Sequence, residues 1–239
     1  MLFFLTGNIQ TGKTRWLESL VKKLHSCGIC AYGVLAPGQW VRRENDAATN
    51  SQLSCKPTFE KLGIDNVLLP SGKRIEFARR RDLALGGANE FASGKQAAAA
   101  QLGWAISDNA IAQVNRHFGE LAALCTNNNE TGSFCEGNGE GSEKQLRTAH
   151  ERKEAKHASK NLLVIDELGR LELMRGTGLT NAVKLLELGP TAVFQTAIVI
   201  VRETLVDSAI ERFNGAWGSC EKIYPTSEGE QKVRKALGC

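Results

Sequence analysis

The 239-residue sequence contains no apolar run long enough to span a bilayer, so no membrane-crossing helix is expected. Its opening, Met1-Leu2-Phe3-Phe4-Leu5, is too short and lacks the basic lead-in of a secretory signal, so no export leader is expected. Cysteine occurs seven times, an odd number without framework spacing, which speaks against a disulfide scaffold and for a reducing, cytoplasmic location. Cys27-Gly28-Ile29-Cys30 is a lone C-x-x-C without the second pair that zinc would need. It reads better as a helix ending at Gly28 and running into a strand. No basic stripe interleaved with aromatics is present. Net charge is only +4, and Arg42-Arg43 and Arg79-Arg80-Arg81 read as solvated faces, so nucleic acid is not an expected partner. There is no internal repeat, and no pattern identifies a protein partner. Hydrophobic residues make up 42%, enough for the core of one domain over residues 1–239.

What is present is Gly7-Asn8-Ile9-Gln10-Thr11-Gly12-Lys13-Thr14, preceded by the apolar Leu2-Phe3-Phe4-Leu5. It fits Gly, four residues, Gly-Lys-Ser/Thr, the phosphate-binding loop of nucleotide-hydrolysing folds. The glycines let the backbone curl so that N–H groups point inward at phosphate oxygens. The following helix adds its positive end to the same anion. Lys13 would reach the β- and γ-phosphates and the Thr14 hydroxyl would hold Mg²⁺. From Lys13 on, Trp16, Leu17, Leu20, Val21 and Leu24 recur on one face, while Arg15, Glu18, Lys22 and Lys23 lie off it. Strand, loop, helix is the order this motif requires. Residues Gly7 to Thr14, with Ile9, Gln10 and Thr11 in the loop and Arg15 just past it, are therefore assigned to the nucleotide.

Further along, Ala31 to Ala36 reads as a strand halted by Pro37-Gly38, and the polar stretch from Gln39 to Pro57 carries no periodic signal. Ile64 to Leu69, the turn Pro70-Ser71-Gly72-Lys73 and Arg74 to Ala78 read as a β-hairpin. A helix is predicted from the N-cap Ser107 to about Cys125, with Ile111, Val114, Phe118 and Leu121 at steps of three and four. Residues 126–160 are polar and Asn-, Gly- and Glu-rich, with Phe134 and Leu146 as the only large apolar side chains. Such a stretch buries too little surface to offset its ordering entropy, so a disordered insertion or a lid is expected there. Buried strands are predicted at Leu162 to Ile165 and Ala197 to Val201, helices near Leu179 to Leu188 and Thr204 to Phe213. A short strand near Lys222 to Tyr224 and a charged tail finish the chain. Alternating strands and helices predict an α/β fold, a mostly parallel sheet flanked by helices.

The run ending in Asp166-Glu167 supplies what phosphoryl transfer needs beside a phosphate loop. A carboxylate at the end of a buried strand can hold Mg²⁺, the part given to Asp166. A neighbouring one can orient and deprotonate an attacking water, the part given to Glu167. The stretch Val164-Ile165-Asp166-Glu167-Leu168-Gly169-Arg170-Leu171-Glu172-Leu173 resembles the second signature of the thermophile-type nucleoside-triphosphatase family. The likeness extends to Gly33 to Trp40, the Asn66 to Ala78 hairpin, Val201-Arg202-Glu203-Thr204-Leu205 and the Gly7–Thr14 loop, and it fails over residues 126–160.

The resemblance implies a RecA-like P-loop fold and slow Mg²⁺-dependent hydrolysis of ATP, GTP and other nucleoside triphosphates with loose base choice. It implies Lys13 and Thr14 on phosphate and metal, Asp166 on metal and Glu167 on water. In that topology the strand ending at Arg202 would lie between the phosphate-loop strand and the Asp166 strand. Arg202 could then stabilise charge on the γ-phosphate, or it could pair with a surface carboxylate. Arg170, Glu172 and Trp40 match family positions with no assigned chemistry. Two other classes stay open: a kinase whose lid carries Arg79 to Arg81, and a nucleotide-dependent switch.

Overall fold

The computed structural model describes residues 1–42, 59–84, 104–127 and 160–239. The insertion expected over 126–160 falls outside these, apart from Thr126, Asn127 and Lys160.

The central sheet is built from strands whose side chains alternate between two cores. In β1 (Leu2–Leu5), Leu2 and Phe4 enter one core, Phe3 and Leu5 the other. The same alternation divides β7 (Leu162–Leu168) and β8 (Thr196–Val201) between the two faces. Strands buried on both faces read as unbroken apolar runs, which is why they were legible. Helix α1 (Lys13–Ser26) covers one face with Leu17, Leu20 and Leu24. It stops at Gly28, whose φ of 76° lets Ile29 N–H return to the Leu24 carbonyl. After the short helix α2 (Arg81–Ala84), helix α3 (Asp108–Asn127) covers the other face with Val114, Phe118 and Leu121. The Ser107 hydroxyl caps it by accepting from Ala110 N–H at 3.1 Å. A fully buried Phe such as Phe118 contributes about 2–3 kcal/mol. Helices α5 (Thr180–Glu187) and α6 (Val206–Trp217) complete that layer.

The remaining strands are β2 (Ala31–Leu35), β3 (Gly38–Arg42), β4 (Phe59–Leu69), β5 (Arg74–Arg80), β6 (Trp104–Ile106) and β9 (Cys220–Ile223). The order across the sheet is β6-β5-β4-β2-β7-β8-β1-β9, with β3 also on β4. Strands β2, β7, β8, β1 and β9 are parallel, whereas β3 to β6 join antiparallel. The α/β architecture flanked by helices is as expected, and among the described residues four pairings are parallel while an antiparallel extension adds four more. The reason is the length of β4. Its last residues pair with β2, Leu35 opposite Val67, and its first half runs past the end of β2. There it pairs with β3, in a stretch whose sequence carries no periodic signal.

Two further differences concern the termini of elements. The charged tail is a helix, α7 (Ser227–Leu237), which packs Val233 and Leu237 beside α1. Cys27 and Cys239 form a disulfide, which the odd cysteine count without framework spacing did not lead one to expect: α1 ends where the C-terminus arrives. At the β2–β7 seam Gly33 has φ 115°, and a Cβ there would lie 2.0 Å from the Val164 carbonyl oxygen. Only glycine fits.

Candidate active site

The loop between β1 and α1 opens at the carboxyl-terminal ends of the parallel strands, where ligands of open α/β sheets sit. Gly7, Gln10 and Gly12 all have positive φ, which curls the chain. The Thr11 hydroxyl donates to the Asn8 carbonyl, and the Lys13 ammonium donates to the carbonyls of Gly7 and Asn8 at 3.0 and 2.8 Å. Lys13 is held below its ordinary pKa by burial, with Glu167 opposing. Ile9 projects from the loop, 80% exposed, and Arg15 lies on the exposed side of the first helical turn.

Thr14 and Asp166, 152 positions apart, meet: the Thr14 hydroxyl donates to Asp166 Oδ1 at 3.3 Å. Asp166 Oδ2 accepts from Ala36 N–H at 2.8 Å, so the end of β2 fixes the carboxyl from the other side. Burial pushes this carboxyl up to about 7, against the pull of the Ala36 N–H and Thr14 hydroxyl, with Glu167 adding to the rise. The strand that presents it is bulged. Ile165 pairs with Val199 and Leu168 with Val201, so β7 carries one extra residue against β8. Glu167 takes up the difference at φ 80°, a costly conformation for a residue other than glycine. The bulge leaves Asp166 buried and turns Glu167 toward solvent.

Arg202 follows the last residue of β8, and β8 does lie between β1 and β7. Its guanidinium donates twice to Glu167 Oε1, at 3.2 and 3.1 Å. Of the two readings of Arg202, the carboxylate pair is the one present. Its partner is the acid assigned to water. With side chains 56% and 42% exposed, such a pair contributes about 1 kcal/mol or less, so it is readily exchanged for another anion. Two oxygen donors of the hard type, Thr14 Oγ1 and Asp166 Oδ1, suit Mg²⁺, which takes one or two carboxylates plus phosphates and water. Among the described residues no cluster of three or more His, Cys, Asp or Glu forms an all-protein cage.

Sequence reasoning missed Lys61. It stands on the overhanging half of β4, opposite Trp40, and its ammonium lies 5.4 Å from the Trp104 ring centre. Burial lowers its pKa, while Glu167 and Asp166 act on it from across the site. No motif marks it, because its position depends on the antiparallel overhang. Glu172 also acquires a role. Its carboxylate accepts from Gly169 N–H and Leu179 N–H, both at 2.9 Å, which ties the start of α4 (Arg170–Arg175) to the start of α5. The hairpin arginines are engaged locally: Arg79 with Glu76 and Gln39, Arg80 with Glu60 and Asp82.

No family model matches the sequence, and no curated protein matches it either. Solved structures do. THEP1 from the hyperthermophile Aquifex aeolicus superposes with a TM-score of 0.53 at 12% identity over 100% of both chains. A human cancer-related nucleoside triphosphatase superposes with a TM-score of 0.50 at 16% identity over 100% of this chain and 95% of that one. The chain shares the α/β fold of these two proteins. Among the described residues no helix is long and apolar enough to cross a membrane.

Proposed function

We propose that the chain hydrolyses nucleoside triphosphates to diphosphate and phosphate in a Mg²⁺-dependent reaction, with ATP and GTP as substrates. The observation that carries this reading is the approach of the Thr14 hydroxyl to the buried Asp166 carboxyl beside a Gly-Lys-Thr loop. The fold shared with two proteins, one of them a nucleoside triphosphatase by name, supports it.

In this reading the Gly7–Thr14 backbone and Lys13 hold the β- and γ-phosphates, and Thr14 and Asp166 hold the metal, which when bound would neutralise phosphate charge. Glu167 orients a water at the γ-phosphorus and accepts its proton. A bond forms from the water oxygen to that phosphorus, and the bond from phosphorus to the β–γ bridging oxygen breaks, so the electron pair leaves with diphosphate. Arg202 exchanges Glu167 for the γ-phosphate oxygens, where its planar donors offset developing charge. An acid placed for water favours hydrolysis over transfer to a second acceptor. Arg79 and Arg80, two of the three arginines that a kinase lid would use, are held by Glu76, Gln39, Glu60 and Asp82.

The test follows phosphate release from ATP or GTP with Mg²⁺, alone and with candidate acceptors, in wild type and Glu167→Gln. Release without an acceptor is expected, falling by about 10²–10⁴-fold in the variant while nucleotide still binds. A requirement for an acceptor would replace hydrolysis with transfer. Lys13→Ala should weaken nucleotide binding itself, and unchanged affinity would count against the assigned loop.

A further inference from the structure

Beside the phosphate loop lies an open cleft of about 400 Å³, lined by Gly7, Asn8, Thr11, Glu203, Tyr224 and Pro225. Its volume is within the range of small-ligand sites. The strand order explains the lining. Strands β8 and β9 flank β1, so the turns leaving them stand on either side of the loop that leaves β1. One wall is phosphate-loop backbone. The other is the turn from β9 into α7, which presents an aromatic ring.

That ring is Tyr224, 46% exposed. It begins where the loop begins: a Cβ on Gly7 would lie 3.9 Å from both the Tyr224 ring and the Pro225 ring. The turn is held rigidly from behind. The Trp16 indole N–H donates to the Thr226 carbonyl at 3.2 Å, and Thr226 caps α7 by accepting from Gly229 N–H at 3.2 Å. Gly229 packs so closely that a Cβ there would lie 2.3 Å from the Tyr224 carbonyl oxygen. The ring is braced from the front as well. Lys222 Nζ lies 5.7 Å from its centre, and its hydroxyl lies 3.5 Å from Glu203 Oε1. Glu203 in turn accepts from Lys222 and from the buried Thr6 hydroxyl. Lys222 offsets the carboxylate, so the wall does not repel an anion bound next to it.

We propose that this cleft is the nucleoside subsite, with the base lying on the Tyr224 ring and Glu203 accepting a hydrogen bond from a base or ribose donor. The inference rests on the phosphate loop holding a triphosphate. A π-face accepts every base, so this wall adds affinity without strong base choice, and purines bind better than pyrimidines because they cover more of the ring.

The experiment measures affinities of ATP, GTP and inorganic tripolyphosphate, each with Mg²⁺, by titration calorimetry. Tripolyphosphate presents the phosphates without a nucleoside. Wild type should bind ATP more tightly than tripolyphosphate. Tyr224→Ala should weaken ATP and GTP by roughly 5- to 150-fold, the span of base–aromatic stacking, and leave tripolyphosphate unchanged. Tyr224→Phe should keep wild-type affinity for all three. If Tyr224→Ala does not fold, Tyr224→Leu replaces it, keeping bulk without the π-face. Equal losses for ATP and tripolyphosphate, no loss for ATP, or equal wild-type affinities would overturn the subsite and leave the phosphate loop standing. A wild type that binds neither compound would overturn both.

Discussion

Replacing Asp166 with Asn removes a carboxyl that is 5% exposed and whose pKa burial has pushed up to about 7 from an ordinary 3.8. A carboxyl raised on folding prefers the protonated state in the native protein. Its contribution to stability is therefore complete below the unfolded value near 4 and is lost as pH rises through about 7. At about 1.36 kcal/mol for each tenfold change in proton affinity, the gap amounts to something on the order of 4 kcal/mol at pH 8. Asparagine does not ionise, and its carbonyl can still accept from Ala36 N–H while its amide meets the Thr14 hydroxyl. Asp166→Asn should thus melt on the order of 10 °C above wild type at pH 8, given about 2–4 °C per kcal/mol for a chain of this size. Near pH 4 the two should melt together. Calorimetric scans from pH 4 to 8.5 without metal or nucleotide make the comparison. The reasoning is refuted if the variant is no more stable than wild type at pH 8, or if its advantage is the same at pH 4. Mg²⁺ with ADP should raise the melting temperature of wild type more than that of the variant, which keeps the phosphate loop but not the metal-holding carboxylate.

Two other outcomes are expected. Gly33→Ala should destabilise by about 3 kcal/mol or more, since its Cβ would collide with the Val164 carbonyl at a φ alanine avoids; urea unfolding checks this, and a loss under about 1 kcal/mol would contradict the seam geometry. Lys61→Met, which keeps the chain length and removes the charge facing Glu167 and Asp166, should slow phosphate release more than it weakens nucleotide binding. Equal effects on the two, read from single-turnover and equilibrium data, would make Lys61 a binding group only.

The parts of the fold visible in the sequence are those where one pattern had one meaning. Leu2 to Leu5, Leu162 to Ile165 and Ala197 to Val201 are apolar without interruption because helices cover both faces of those strands. The Gly7–Thr14 loop was legible because its glycines answer a backbone demand. Helix α7 was not, because its buried positions Gly229, Val233 and Leu237 recur only every fourth residue among charges. The antiparallel overhang was missed because short, half-exposed strands such as Gly38–Arg42 carry no alternation to read. Lys61 owes its position to that overhang, and Cys239 meets Cys27 across 212 positions, so spacing pointed to neither. For Arg202 the sequence left two geometries open, and in the structure its guanidinium pairs with Glu167.

Arg202 and Glu203 are consecutive, about 3.8 Å apart along the chain, yet they face different neighbours: one reaches Glu167 on β7, the other Thr6 and Lys222 on the β1–β9 side. A single peptide unit thus joins the cleft beside Tyr224 to the Asp166–Glu167 side of the phosphate loop. Whatever presses on the Glu203 carboxylate also shifts the anchor of the guanidinium beside it. A base or ribose donor on Glu203 should therefore alter turnover as well as occupancy, with no long relay through the protein interior.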